Sequence, residues 1–530
     1  MQKLQNIGLG IFVFSLLLFT STVFIGEYEL TEKAFDQYVD TKNVPNESFV
    51  KEIKENVIGV TYSNVFEASS SIIEILERTN QSYIAKQEWG KVFWDKPHTV
   101  AYTLLKPSAL GSVAQNQWRW FVLTFGLGIF GSLLFVFANI KLLGAAGIKN
   151  NHIYQSAATN KGWVAWLVLT FLVAFYIVLY FFPDFIVNWV LIVDPVAQTL
   201  FGSSASEWFL YGFLYTIVMT VMGIRMIIKY RDNKYQVART ITVVFFQIIF
   251  AFLIVNILPL FNLPGVDLKN AWPLDYSFLY EYRIEKFFLS PEAGGHVEGA
   301  IFILFWGAFF SLVVIPVLVY FFGKRWYCSW VCGCGGLAET LGDPYRQLSD
   351  KRLIAWKVER WMIYSVLVFA ILMTIWTGVH SYKEITSPGE GGNEMFFGFS
   401  AFDIRQWYGF LIGSVFSGII GTGFYPIMGN RVWCRFGCPL AAYMGIVQRF
   451  KSRFRITTNG GQCISCGNCS TYCEQGIDVR WYAQRQQNIV RSSCVGCGVC
   501  SAVCPRGVLK LENAPEENRF DIRNLPSIKK

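Results

Sequence analysis

The chain has 530 residues, of which 53% are hydrophobic and only 16% are charged. Soluble domains carry about a quarter charged residues, so this composition predicts several membrane spans and excludes disorder, a collagen-like chain and a small disulfide scaffold. The formal net charge is +9, but the sequence has no basic stripe with interleaved aromatic residues. We therefore attribute it to cytoplasmic loops rather than to nucleic-acid binding.

Eight apolar runs are each close to the ~20 residues that a helix needs to cross a bilayer. They cover residues 7–26, 118–140, 163–182, 207–228, 239–260, 299–322, 361–379 and 407–428. The first is predicted to be an uncleaved anchor, because it leads through Phe24, Ile25 and Gly26 into Glu27 rather than into a typical small-residue cleavage site. Residues 184–201 are also apolar, but Asp194 and Pro195 interrupt them, and we expect an interfacial or re-entrant segment on the outer side.

The charges between the runs predict the orientation of the chain. Residues 27–117 hold 13 acidic and 9 basic residues, whereas residues 141–162, 229–239 and 323–360 each hold more basic than acidic ones. Every second connection is therefore basic, and by the positive-inside rule both termini are expected in the cytoplasm. Arg449, Lys451, Arg453 and Arg455 follow the last run and are expected to face lipid headgroups or to fix the topology.

All 13 cysteines lie between Cys328 and Cys504, and eight of them form two C-x₂-C-x₂-C-x₃-C motifs near the end of the chain. This is the spacing of bacterial ferredoxins with two [4Fe–4S] clusters, in which the fourth cysteine of each motif binds the other cluster. One predicted cluster is bound by Cys463, Cys466, Cys469 and Cys504, and the other by Cys494, Cys497, Cys500 and Cys473.

Two alternatives to the ferredoxin are disfavoured. Zinc ribbons use two C-x₂-C pairs, and disulfides do not persist on a cytoplasmic face. The first motif ends in Cys473-Glu474 where Cys-Pro is usual. We expect this departure to loosen the turn without removing a ligand.

A second cysteine pattern follows the sixth and eighth apolar runs. Gly-x-Arg-x-aromatic-Cys-x-aromatic-x-Cys occurs once with Cys328 and Cys332 and again with Cys434 and Cys438, and a three-residue insertion in the first copy carries Cys334. If the motif is helical, its two sulfurs lie one turn apart on one face. We name these five cysteines the membrane-face cysteines.

Three interpretations of the membrane-face cysteines remain open. They could supply four ligands to a third Fe–S cluster, form a redox-active dithiol or a soft-metal site for Cu(I) or Zn, or be packing thiols. We favour redox or metal binding, because the pairs match and because Arg325, Arg431 and Arg435 are close in sequence and would favour thiolates.

These patterns predict a mainly α protein, a polytopic membrane helix bundle with a C-terminal cytoplasmic α+β ferredoxin domain of the 2[4Fe–4S] type. The predicted segments are a membrane anchor helix at 1–26, an extracytoplasmic helical domain at 27–117, membrane helices with outer loops at 118–298, the repeated helix and C-x₃-C module at 299–450, the ferredoxin domain at 451–512 and a tail at 513–530.

Residues 299–512 resemble the membrane polyferredoxins, the group of 4Fe–4S membrane proteins that includes NosR, NapH and CcoG. The stretch from Cys473 to Arg480 is similar to theirs, while the first repeat departs from the usual Cys-Pro with Cys-Gly-Cys-Gly-Gly. The resemblance implies an inner-membrane protein that passes electrons between a quinol pool or a cytoplasmic donor and a respiratory or periplasmic partner enzyme.

The predicted function is electron transfer in the lipid bilayer with a redox partner protein and without nucleic acid. No nucleophile and base are placed to act on a substrate, so no catalytic residue is predicted. The alternative is a redox assembly or regulatory factor for a metalloenzyme. A transporter with a redox-sensing tail is disfavoured, because the predicted spans hold few ionisable residues away from their ends.

Overall fold

The computed structural model describes residues 1–143, 157–261, 267–269, 271–274, 305–386, 398–459 and 462–513. The chain divides into two compact units, Met1–Leu142 with Ala174–Ile217, and Leu143–Val173 with Val218–Lys530. The described residues are mainly helical, which confirms the predicted fold class. Most of the predicted tail, 514–530, lies outside the described residues.

The first unit is helical apart from one short pair of strands. Its main helices are Gln2–Ser21, Glu32–Lys42, Glu47–Asn56, Val65–Ala85, Pro97–Leu105, Gln117–Leu142 and Pro183–Phe201. Thr31, Asn46 and Asn64 begin three of the helices by accepting a hydrogen bond from a first-turn amide. Strands Tyr28–Glu29 and Thr61–Tyr62 pair antiparallel.

Helix Pro183–Phe201 differs from the expected interfacial segment. It runs without a break across Asp194 and Pro195, and most of it is buried within the protein. Both of its carboxylates are buried and partnered: Asp184 accepts from Ser69 and pairs with His98 Nδ1 at 3.0 Å, and Asp194 accepts from the backbone of Ala205 at 2.7 Å. These partners offset the cost of burying charge, so the acids do not end the helix.

Among the described residues, eight helices are long and apolar enough to cross a membrane. They are Gln2–Phe24, Gln117–Leu142, Trp163–Phe181, Pro183–Phe201, Glu207–Lys229, Lys234–Phe261, Phe305–Phe322 and Leu353–Lys383. Helices Trp163–Phe181 and Glu207–Lys229 contain residues of both units.

The predicted number of eight apolar helices is therefore confirmed, but the set differs at two places: helix Pro183–Phe201, predicted as an interfacial segment, belongs to it, and the run 407–428 does not. The run 407–428 is not one helix. Helix Ala401–Tyr408 begins at a capping box formed by Ser400 and Asp403, continues as a π-helix over Gly409–Ile420 and ends before residue 421, and Tyr425–Met428 is a separate turn.

The second unit also contains the segments that carry the cysteines. Beyond its apolar helices these are Arg325–Cys328, Gly333–Thr340, Leu353–Thr386, Trp433–Gly437, Pro439–Lys451, Asn468–Thr471, Val479–Gln484 and Val499–Ala502. Strands Arg455–Thr458 and Leu509–Glu512 pair antiparallel, with Arg455 opposite Glu512. This pair joins the start of the ferredoxin region to its end.

In the first unit, helices Gln2–Ser21 and Gln117–Leu142 cross with their backbones in contact. A Cβ added at Gly131 would lie 2.7 Å from the backbone nitrogen of Phe12, and one at Gly8 would lie 2.6 Å from that of Phe135. Small residues permit this approach between helices in a membrane.

We predict that Gly131→Leu destabilises this crossing. Overpacking of this kind costs about 1–3 kcal/mol, so the thermal midpoint in detergent is expected to fall by several degrees. Gly10→Leu, on the partner helix Gln2–Ser21 and with nothing within 4 Å of the added Cβ, is the control and is expected to leave the midpoint unchanged. Equal midpoints for the two variants would contradict the crossing.

Candidate iron–sulfur site

The two ferredoxin motifs place their cysteines around two separate cavities. The first, of about 350 Å³, is lined by Cys463, Cys466, Cys469 and Cys504. The second, of about 370 Å³, is lined by Cys473, Cys494, Cys497 and Cys500. Each cavity thus combines three thiols of one motif with the last thiol of the other, which is the grouping that the motif spacing predicts.

Glycines let the backbone turn closely around these cavities. Gly467 and Gly498 have φ angles of +81° and +73° and precede the short helices Asn468–Thr471 and Val499–Ala502. This left-handed conformation is one that side chains rarely tolerate. The core beneath the cavities contains Phe454 and Ile456 together with cysteines of both motifs.

Four cysteines around an apolar cavity are the donor set that holds a [4Fe–4S] cluster, so the residues fit this cofactor. Burial raises the pKa of Cys469 to about 12 and that of Cys494 to about 11. Because iron binds the thiolate, loading of these sites must release protons. Within the described residues, no three His, Cys, Asp or Glu side chains are close enough to hold a single metal ion.

The two cavities differ in their access to solvent. Cys466 of the first cavity is exposed and Cys463 and Cys504 are half-buried, whereas Cys494 and Cys500 of the second are buried. A soluble redox partner would therefore reach the first cavity more easily than the second.

The cysteine pairs are similarly placed in the two copies, each between two short helices. Cys328 ends helix Arg325–Cys328, and Cys434 lies in the π-helical turn Trp433–Gly437. Cys332 and Cys438 are extended residues that cap helices Gly333–Thr340 and Pro439–Lys451. The pair is therefore not on one face of a single helix. Each motif joins the end of one helix to the start of the next.

This arrangement places a thiol at the N-terminus of each following helix. Cys438 Sγ accepts from the amide of Ala441 at 3.4 Å. Hydrogen bonds from the Cys334 thiol and from the amide of Gly335 lower the pKa of Cys332 to about 6. Helix N-termini favour thiolates in this way, which suits Cys332 to metal or redox chemistry.

All five membrane-face cysteines belong to one packed core. Cys328, Cys434 and Cys438 are buried in it, and Cys332 and Cys334 pack against it. Burial raises the pKa of Cys328, and the neighbouring Cys332 and Cys434 raise it further. The structure thus brings the two sequence repeats to one place.

The three arginines near the repeats have different roles. Arg431 Nη1 lies 3.7 Å from Cys434 Sγ and 3.4 Å from the carbonyl of Cys328. Arg435 instead pairs with Glu359 at 2.7 Å, and Arg325 lies over the ring of Phe454 at 5.0 Å. Of the three, Arg431 is the one that contacts a membrane-face thiol.

The loop of the second cavity packs directly on the membrane-face core. Val495 is part of that core, and Cys497 packs against it. Ser329 Oγ, between Cys328 and Cys332, donates to the carbonyl of Val495 at 2.8 Å. Gln236 Nε2 donates to the carbonyl of Cys497 at 2.7 Å. The second cavity is thus adjacent to the membrane-face cysteines.

Sequence reasoning missed the role of Glu474. Rather than loosening the turn, Glu474 is buried; its Oε1 accepts from Arg431 Nη2 and its Oε2 forms an ion pair with Arg346 Nη1, each at 2.9 Å. Asn430 Nδ2 lies 3.2 Å from the same carboxylate. Burial alone would raise the pKa of Glu474, but Arg346 and Arg431 lower it to about 2. The only sequence signal was the departure from Cys-Pro.

The same buried network extends to the first repeat and to two apolar helices. Glu339, in the helix after Cys332, pairs with both Arg431 and Arg239. Asp343 pairs with Lys229 at 2.9 Å and with Arg346 Nε at 2.8 Å. Charges buried in this way are stable only when paired.

Comparisons with known proteins identify the same segments. Residues 455–505 match the family model described as a 4Fe-4S dicluster domain. Residues 302–353 and 408–457 both match the model described as a 4Fe-4S binding domain, which confirms the internal repeat. No solved structure matches the chain.

Several curated proteins are similar over about a third of the chain. YccM of Escherichia coli, named as an electron transport protein, is 27% identical over 32% of this chain and 45% of its own length. The methylamine utilization ferredoxin-type protein MauN of Methylobacillus flagellatus is 23% identical over 32% of this chain and 54% of its own length. The ferredoxin-type protein NapH of Haemophilus influenzae is 24% identical over 32% of this chain and 55% of its own length. The chain spans about half the length of these relatives.

The cysteine-bearing part of the chain is similar to ferredoxin-type membrane proteins such as NapH. This confirms the resemblance seen in the sequence. Together with the eight apolar helices, the two family models support a multi-pass membrane protein with ferredoxin-type iron–sulfur domains.

We predict that Glu474→Gln unfolds the second unit at a lower temperature and weakens iron retention. Removing one partner of a buried ion pair costs about 3–5 kcal/mol. Asp350→Asn, which alters an ion pair with the exposed Arg352, is the control, because surface pairs contribute about 0–1 kcal/mol. Thermal midpoint and iron content are measured for both, and equal loss in the two variants would contradict the role of Glu474.

Proposed function

We propose that this protein transfers single electrons along three iron–sulfur clusters. The first is held by Cys463, Cys466, Cys469 and Cys504, and the second by Cys473, Cys494, Cys497 and Cys500. The third is held by Cys328, Cys332, Cys434 and Cys438. The observation that carries the proposal is the packing of Cys497 on the core that contains the membrane-face cysteines.

The order follows from exposure and contact. The first cavity is the more accessible one, so a cytoplasmic donor or acceptor meets it first. The second cavity contains Cys473 of the first motif and its loop packs on the membrane-face core, so we place the second cluster between the other two. The clusters would supply the redox chemistry.

The membrane-face cluster is proposed to exchange electrons with the quinol pool or with a respiratory or periplasmic partner enzyme. The names of the relatives support this direction, because they include an electron transport protein and ferredoxin-type proteins. In this proposal both termini and all three clusters are on the cytoplasmic side, as the loop charges predict.

Iron analysis tests the third cluster. We predict about twelve irons per chain in the anaerobically purified protein and about eight after Cys328, Cys332, Cys434 and Cys438 are changed to Ser, with loss of one EPR signal on reduction. Cys334→Ser is the control and is expected to keep about twelve, because four ligands suffice for one cluster. About eight irons in both the parent and the quadruple variant would exclude the third cluster.

One observation favours a second candidate, a redox assembly factor. Cys332 and Cys334 are separated by one residue and both pack against the membrane-face core, so this alternative treats them as a redox-active dithiol. In this alternative, two electrons taken one at a time from the ferredoxin clusters, with two protons, reduce a Cys332–Cys334 disulfide to the dithiol. That dithiol then reduces a disulfide in a partner enzyme under assembly.

The two candidates differ in their dependence on Cys334. Electron transfer through a third cluster predicts that Cys334→Ser keeps the activity of the partner respiratory chain in membranes. Assembly predicts that the same variant loses newly made partner activity while partner enzyme that is already assembled keeps working. Activity is followed in membranes before and after expression of the variant replaces the parent protein.

A further inference from the structure

A long groove runs along helix Leu353–Thr386 in the second unit. It is an open groove with about 1090 Å³ of free space, and its lining extends from Arg360 to Leu372 on that helix and includes Arg449 from helix Pro439–Lys451. Twelve residues of helix correspond to about 18 Å, or three turns. The groove therefore has the length of a good part of a lipid acyl chain.

The wall of the groove is apolar and exposed. Trp361, Val368 and Leu372 are 78%, 54% and 55% exposed, and all three lie within the apolar segment Leu353–Lys383. In a membrane this wall faces hydrocarbon rather than water, so its natural occupant is an apolar chain.

Two guanidinium groups lie in the same groove. Arg360 and Arg449 form no ion pair with a carboxylate among the described residues, and the adjacent Glu359 is already paired with Arg435 at 2.7 Å. Arg360 lies over the ring of Trp356 at 4.8 Å, and Arg491 faces the same ring at 4.3 Å. The groove therefore carries uncompensated positive charge beside its apolar wall.

The other basic residues after the eighth apolar run do not share this position. Arg453 lies over the ring of Tyr320 at 5.4 Å, and Arg455 is buried in strand Arg455–Thr458. Of these arginines, Arg449 is thus the one that lines the groove. The site is defined by the groove rather than by the basic sequence.

We propose that this groove binds one anionic phospholipid, with its phosphate between Arg360 and Arg449 and an acyl chain along Val368 and Leu372. Guanidinium groups bind phosphate through paired N–H donors, and basic pockets beside membrane helices recognise anionic headgroups. A zwitterionic lipid brings an ammonium group toward the arginines, and a quinone has no anionic group to engage them.

The test uses the full-length protein, delipidated in detergent and titrated with dioleoylphosphatidylglycerol, with bound lipid counted by native mass spectrometry. One tightly retained lipid per chain is expected. Arg360→Gln with Arg449→Gln should weaken its binding about tenfold or more, and Arg360→Lys with Arg449→Lys should keep most of it. Lys357→Gln removes one charge from an exposed residue of the same helix outside the groove and should keep parent affinity.

Three results would overturn the proposal. The first is equal binding by the double Gln variant and the parent. The second is equal retention of dioleoylphosphatidylcholine, which would mean that the groove selects chains and not charge. The third is displacement of phosphatidylglycerol by an equal concentration of decylubiquinone, which would make the groove a quinone site. The thermal midpoint of each variant is compared with the parent, and retention by the double Lys variant shows that loss in the Gln variant reflects charge.

Discussion

The guanidinium of Arg431 is fully buried, and the second unit depends on how that charge is compensated. It pairs with Glu339 of the first repeat and Glu474 of the ferredoxin region, and it also contacts the thiol of Cys434. Removal of any one acid would leave a buried cation with less compensation, which is strongly unfavourable. The repeats and the ferredoxin region therefore have to fold against each other.

This constraint gives the ferredoxin region a fixed place. A ferredoxin joined only by a linker would change its distance from the membrane-face cysteines. Here Ser329 and Gln236 hold the loop of the second cavity by hydrogen bonds of 2.8 and 2.7 Å. In the proposed function, electron transfer between centres held in this way depends on packed protein and not on a diffusive encounter, and the order of the clusters follows from exposure and contact.

The grouping of the ferredoxin cysteines could be predicted from the sequence because it depends on local spacing. Three thiols within seven residues must face one cluster, and the remaining thiol of each motif is displaced to the other. The repeat of Cys328 and Cys434 was also visible, since identical local patterns predict identical local structures. The structure adds that both repeats end in a helix-capping cysteine, Cys332 or Cys438.

Features that depend on distant residues could not be predicted. Glu474 contacts Arg431 and Asn430, which are 43 and 44 positions away in the sequence. No local sequence pattern indicates such partners. Helix Pro183–Phe201 was misjudged for the same reason, because Asp184 and Asp194 are tolerated through partners such as Ser69 and Lys106. A hydropathy pattern includes the free-energy cost of burying these carboxylates but not the hydrogen bonds and ion pairs that offset it.

The proposed electron path requires that the second ferredoxin cluster lies next to a cluster at the membrane face. EPR of the fully reduced protein tests it in a variant that lacks the first cluster through Cys463→Ser, Cys466→Ser and Cys469→Ser. We predict an EPR spectrum broadened by magnetic interaction between two reduced clusters. The broadening should be lost when Cys328, Cys332, Cys434 and Cys438 are also changed to Ser. A first-cluster variant with the spectrum of one isolated [4Fe–4S] cluster would contradict it.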